Sequence, residues 1–273
     1  MKKLLLLFFL LIATSGFAQS PWDIRFYNEV KDGVVHIYAD NQEPMEMSAR
    51  FEFKLQNVTS SLPSREIVVV PADTLKFLIA TLTPVKKNAA NKFSYTNTFN
   101  FGNALQQDYD QNHIYSLPFE KGKTQRIYQG YYGKFSHQNA QALDFDLQTG
   151  DEIFAAREGI VVETVSHHHR NCPDISCAKF NNRILIQHED GTFADYAHLK
   201  QNGVAVKKGD FVSRGQLIGY SGNTGYSNGP HLHFSVFINR IDGSRTYLPT
   251  LFKTSESEGT LLKEGQKYTR NYD

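Results

Sequence analysis

His231-Leu232-His233-Phe234-Ser235-Val236-Phe237 is the stretch on which the fold turns. Its apolar and polar residues alternate, and in a β-strand alternate side chains share a face. Leu232, Phe234 and Val236 therefore point to a core, while His231, His233 and Ser235 point the other way. Two imidazoles about 7 Å apart along a strand are within reach of one metal ion and its immediate surroundings. The same alternation surrounds Asp144: Leu143, Phe145 and Leu147 are apolar, and Ala142, Asp144 and Asp146 share the opposite face. Each pattern alone is also what an ordinary half-buried strand looks like.

Outward from these two strands the chain continues in the same period. Ala142 to Leu147, Glu152 to Ala156, Gly159 to Val165, Arg183 to His188, Thr192 to Leu199 and His231 to Ile238 read as strands, with Glu189-Asp190-Gly191 as a hairpin turn. Eight of the ten histidines fall between His137 and His233, and seven of the nineteen glycines between Gly203 and Gly229, a region of tight turns. Upstream, Val34 to Ala39, Met47 to Leu55, Ile67 to Val70, Leu75 to Leu82 and Phe93 to Phe101 form a second series of short strands without helical periodicity. Such spacing predicts an immunoglobulin-like sandwich over residues 21–105. The whole chain is thus expected to be all-β, with a connector at 106–129, a second β domain at 130–252 and a polar tail or extra hairpin at 253–273.

Composition bounds the function classes. The 273 residues carry 29 basic and 28 acidic side chains, a net charge of +1. A near-neutral chain has no global basic footprint for nucleic acid. Lys2 and Lys3, the ten apolar residues Leu4 to Ala13 and the small residues of Gly16-Phe17-Ala18 have the layout of a secretory signal peptide, residues 1–18. Ten apolar residues are too few to span a bilayer, which needs about 20. Export to the periplasm or beyond, with no membrane attachment after cleavage, is the expectation. The mature balance becomes 27 − 28 = −1.

Taken in order, Ser136-His137, Leu143-Asp144-Phe145, Ala155-Ala156-Arg157-Glu158-Gly159, Tyr196-Ala197-His198-Leu199 and Gly222-Asn223-Thr224-Gly225-Tyr226-Ser227-Asn228-Gly229-Pro230-His231-Leu232-His233-Phe234 resemble the LytM/lysostaphin family of zinc endopeptidases. The resemblance covers about 110 residues, Gly130 to Asn239. It implies a small antiparallel β catalytic domain, one Zn²⁺ held by His137, Asp144 and His233, and His198 and His231 flanking the metal's open position. It further implies peptide bonds of peptidoglycan as substrate. The alternative is a catalytically silent relative that binds cell wall or regulates another wall hydrolase, and a further one is a binding module with a structural zinc.

The donor set agrees with that reading, because two imidazoles and one carboxylate leave a tetrahedral Zn²⁺ one open position, as in catalytic sites. Two features depart from the family pattern. Six residues rather than three separate His137 from Asp144, and Ser235 stands where Glu is common. Asp146 is the rival carboxylate on the same strand face. His188, before a turn, is read as a hydrogen-bonded structural residue, His36 as structural, and His113 is left unassigned. Cys172 and Cys177, the only cysteines, form a disulfide if the compartment is oxidising; the alternative is a second metal site using one of His167, His168 or His169 with both thiolates.

Overall fold

The computed structural model describes residues 22–86 and 89–273, and the signal-peptide reading of residues 1–18 lies outside them. The described residues are all-β: apart from one 3-10 turn, Ile175–Phe180, every regular element among them is a strand. Among the described residues no helix is long and apolar enough to cross a membrane.

Residues 24–101 form two facing antiparallel sheets. One has the order β1 (Ile24–Lys31), β2 (Val34–Asn41), β6 (Thr74–Pro84), β4 (Val58–Ser60); the other runs β5 (Ile67–Val70), β3 (Met47–Gln56), β7 (Lys92–Phe101). Alternate residues of these strands, including Ile37 and Ala39 on β2 and Ala49 and Phe51 on β3, are wholly buried and share one core. The β1–β2 hairpin closes through Asp32 and Gly33, both at positive φ (52° and 76°), as a two-residue turn matched to strand twist requires. The layers are those of a sandwich, and β7 has a single neighbour, β3.

The second half is built on a nine-stranded antiparallel sheet. At its centre Leu232–Asn239 pairs with Phe193–Ala197 on one side and with Ala142–Phe145 and Arg245–Leu248 on the other. The alternation read from the sequence is realised: Leu232, Phe234 and Val236 enter the main core with Leu143, Phe145, Ile184, Ile186 and Tyr196. Three strands, Glu152–Phe154, Leu217–Ser221 and Leu199–Val204, form a smaller sheet contributing Ile153, Ile218 and Leu199 to that core.

One part of the chain departs from the sequence expectation, and another takes the extra-hairpin alternative. Within the expected connector, Thr124–Gln129 is a strand of the large sheet, paired with Ala142–Phe145. The C-terminal residues are held rather than loose: Thr260–Leu261 pairs with Leu251–Phe252, and Lys267–Thr269 pairs with Thr124–Gln129. Neither segment has an apolar alternation long enough to announce a strand, so both depend on edges that only the folded sheet offers.

The sandwich packs on the sheet face opposite the main core. Met45, Met47 and Phe101 bury against Val162, Leu185, Phe193 and Phe237, with Phe101 edge-on to Phe193 at 5.1 Å. Gly102, at φ +79°, lies so close that a Cβ would sit 2.6 Å from the Phe193 ring. Glu43, wholly buried, forms an ion pair with Lys208 across the junction. Phe237 is four residues from His233 on the same strand face, so the sandwich stands about 13 Å from that histidine along the strand.

Candidate metal centre

Asp144 and His233 are cross-strand partners in register, Asp144 on Ala142–Phe145 and His233 on Leu232–Asn239. His137 arrives from the loop before the first of these strands, where Gly133 O accepts its backbone N–H and its own carbonyl accepts Ala140 N–H. This tight loop absorbs the longer spacing between His137 and Asp144. The three side chains converge on one point. His137 Nε2 is 3.2 Å from His233 Nδ1, and Asp144 Oδ1 lies 3.3 Å from the former and 3.0 Å from the latter. Ligand bonds of about 2.0–2.1 Å at tetrahedral angles would place donor atoms about 3.3 Å apart, so the triangle fits a zinc-sized ion. Among the described residues this is the group of histidines, cysteines and carboxylates with such a geometry.

The protonation pattern is set by neighbours. His137 Nδ1–H donates to Gly130 O at 3.0 Å, which aims Nε2 at Asp144 and His233. Burial opposes charging of His137, but Asp144 and the carbonyls of Gly130 and Ala142 outweigh it, and its pKa is raised. Burial likewise opposes ionisation of Asp144. Hydrogen bonds from His137 and His233 and the nearby imidazoles overcome this and hold the carboxyl well below its usual range. A carboxylate ionised while buried calls for neighbouring positive charge, which a divalent cation held by these three side chains would supply.

His198 and His231 stand beside this group, their ring centroids 4.6 Å apart. Each has Nδ1 fixed on a carbonyl, His198 on Thr224 O at 2.7 Å and His231 on Gly229 O at 2.8 Å, so each keeps Nε2 as an acceptor. His231 Nε2 is 3.7 Å from Asp144 Oδ1. Burial, reinforced by His231 and His233, pushes the pKa of His198 down to about 3. His198 also has φ +65°, a left-handed conformation that costs a non-glycine residue about 1–3 kcal/mol. Both flanking histidines and Asp144 line an open cleft of about 200 Å³, together with Tyr128, Phe135 and Tyr226.

The strand limits read from the sequence shift here. The strand expected over Thr192 to Leu199 ends at Ala197, because His198 leaves extended backbone to direct its N–H to Asn181 Oδ1 at 2.9 Å. The strand expected from His231 starts at Leu232, and His231 bridges to Gly222 instead. Asp146 stands apart from the cluster, on the cleft rim 3.5 Å from Arg126. His188 donates from Nδ1 to Glu158 O at 2.7 Å in the interior. Cys172 and Cys177 are joined by a disulfide. Ser235 is buried opposite Asp195 and outside the metal cluster.

One residue escaped the sequence reading entirely. Gln129 donates from Nε2 to Asp144 Oδ2 (3.0 Å) and Ser136 Oγ (2.8 Å), while its Oε1 accepts the N–H groups of Phe135 and Ser136. It ties the Asp144 carboxylate to the loop that carries His137. No motif marks it, since its role depends on the neighbouring strand.

Residues 138–246 match the sequence model of Peptidase family M23. Over these residues the resemblance read from the sequence motifs is borne out. The chain is 38% identical over 95 residues to peptidoglycan DD-endopeptidase ShyA of Vibrio cholerae, covering 35% of this chain and 19% of that protein. Lysostaphin of Staphylococcus simulans is 34% identical over 118 residues, 43% of this chain and 22% of its own length. Among solved structures, the catalytic domain of the antimicrobial peptidase lysostaphin from Staphylococcus simulans is 29% identical, covering 46% of this chain and 87% of that one with a TM-score of 0.34. The chain thus spans about a fifth of the length of these two curated relatives. M23 peptidases are metallopeptidases, and the His137, Asp144 and His233 group could hold a metal ion.

Proposed function

We propose that the protein is an exported zinc-dependent endopeptidase that cleaves peptide bonds in peptidoglycan stem peptides or cross-bridges. The observation that carries this is the convergence of His137, Asp144 and His233 with zinc-sized spacing in a chain that matches Peptidase family M23. The names of its relatives, a peptidoglycan DD-endopeptidase and lysostaphin, supply the substrate class.

In this reading His137 Nε2, Asp144 Oδ1 and His233 Nδ1 hold the metal. When bound, zinc supplies a Lewis acid that polarises a carbonyl and lowers the pKa of water toward about 7. The protein's own contribution is proton handling beside it. His198 is neutral at rest, its pKa depressed to about 3, and its Nδ1–H is committed to Thr224 O, so Nε2 can take a proton from water. His231, pinned the same way on Gly229 O, offers a second acceptor that, once protonated, donates to the leaving amine or to the developing oxyanion. Gln129 keeps the Asp144 carboxylate from turning. The cleft is lined by residues from Arg126 to His231, and the sandwich packs at the far end of the central strand. This arrangement supports a positioning role for the sandwich over one that covers the groove.

Digestion of purified peptidoglycan sacculi with and without a chelator tests the proposal, with released fragments read by mass. Chelator-sensitive release of fragments cut at a peptide bond is expected. A protein that binds one zinc and releases nothing would instead favour the silent regulator.

A further inference from the structure

The strands Gly159–Val165 and Arg183–Gln187 are antiparallel neighbours, yet seventeen residues, 166–182, connect them. A connection this long is mobile unless something ties it. Here the Cys172–Cys177 disulfide closes its tip, with Cys177 inside the turn Ile175–Phe180 that is capped by Asn181. The closed segment lies along the loop that precedes His231. Asn171–Cys172 pairs in parallel with Gly225–Tyr226. Arg170 O accepts Gly225 N–H at 2.9 Å, and Cys172 O accepts Ser227 N–H at 3.2 Å.

Both flanking histidines hang from this pairing. Asn181 Oδ1 accepts the backbone N–H of His198, at the residue whose φ is positive. Asn182 N–H donates to Thr224 Oγ1 at 3.1 Å, and Thr224 O in turn receives His198 Nδ1–H. On the other side Asn171 Nδ2 donates to Ser227 O at 3.3 Å, and Ser227 Oγ lies 3.3 Å from His231 Nδ1. The fit is close, since a Cβ on Gly225 would meet Asn181 Cα and Cβ at 2.9 Å. The three candidate metal ligands are held differently, by Gly130 O, by Gln129 and by one another.

We propose that the Cys172–Cys177 disulfide is a positioning element for His198 and His231. It fixes segment 166–182, to which both histidines are tied, and leaves the metal ligands untouched. The inference rests on the proton-handling roles given to these histidines above. Breaking the bond frees segment 166–182, loosens the loop 222–231 and lets His198 relax from its strained backbone. The metal stays in place while turnover falls.

The test is the Cys172→Ser, Cys177→Ser double variant of the full chain, since added thiol reductants would themselves bind zinc. Three quantities are read: zinc per chain by elemental analysis, kcat and KM on sacculi or soluble wall peptides, and amide hydrogen exchange of residues 222–231 in the metal-free protein. The expected result is one zinc per chain, KM within about twofold, kcat lower by about tenfold or more, and faster exchange in that loop. Wild-type kcat with unchanged exchange overturns the proposal. So does a loss of activity that follows a loss of zinc, which would make the disulfide a support of the metal site or of the fold. If the double variant does not fold, Asn181→Ala, which removes the acceptor for His198 N–H and keeps the disulfide, is judged by the same criteria. A wild-type protein inactive on every wall substrate would count against the proposed function, whereas the exchange comparison would still decide whether the disulfide holds the loop.

Discussion

Replacing Gln129 by Leu keeps most of the side-chain volume and deletes all four hydrogen bonds that join Asp144 to the His137 loop. The bond to Asp144 is charge-assisted and buried, and a hydrogen bond to a charged group contributes about 1.5–3 kcal/mol. Independently, removing the partner of a metal-ligating side chain lowers metal affinity by about 10–100-fold, or about 1.4–2.7 kcal/mol. The two routes converge on a loss of about 2 kcal/mol, roughly 30-fold in zinc affinity. Gly133→Ala provides a second route to the same site. A Cβ at Gly133 would sit 2.4 Å from Gln129 Cγ, so the Gln129 side chain must move although its amide is intact. Competition against a chromophoric chelator near neutral pH measures both variants. If each holds zinc within about twofold of wild type, Gln129 does not orient the carboxylate, and the reasoning from ligand support fails.

His198→Ala should retain one zinc per chain while kcat/KM falls by about 10²–10⁴-fold, read by elemental analysis and wall-peptide hydrolysis; parallel loss of metal would remove it from the proton-handling role. Phe237→Ala should cost about 3–5 kcal/mol in urea unfolding, because its wholly buried ring packs beside Phe193 where the sandwich meets the sheet. A cost below about 1 kcal/mol would mean that this junction contributes little. His188, wholly buried beside Arg157, has a pKa pushed down from 6.5 to about 3. The unfolded chain therefore binds the extra proton first, and stability falls as pH drops from 6.5 towards 3. That amounts to about 3 kcal/mol between about pH 7 and about pH 4. His188→Asn should lose less stability by about that amount over the same interval in chelated protein, as measured by urea unfolding; equal losses in both would contradict the assignment.

The local pattern determined much of this. Period-two alternation in Leu232 to Val236 and around Asp144 fixed which side chains enter the core, because a strand has only two faces and one must leave water. The order of the motifs then named His137, Asp144, His198, His231 and His233, which the fold brings together from four separate segments. The spacing of Cys172 and Cys177 identified the pair, and the folded loop shows what the bond joins. What the sequence could not carry are the roles that exist only between distant segments. Gln129 acts through a neighbouring strand, and Asn181 and Thr224 hold His198 from two different loops. The C-terminal strand Lys267–Thr269 exists because Thr124–Gln129 offers it an edge. The sandwich docks because Val162, Leu185, Phe193 and Phe237 form an apolar patch on the second face of a sheet. Alternation records how far each residue must avoid water, a local property. Hydrogen-bond partners and docking faces depend on which segments the fold makes neighbours, and that is decided only when the sheet closes.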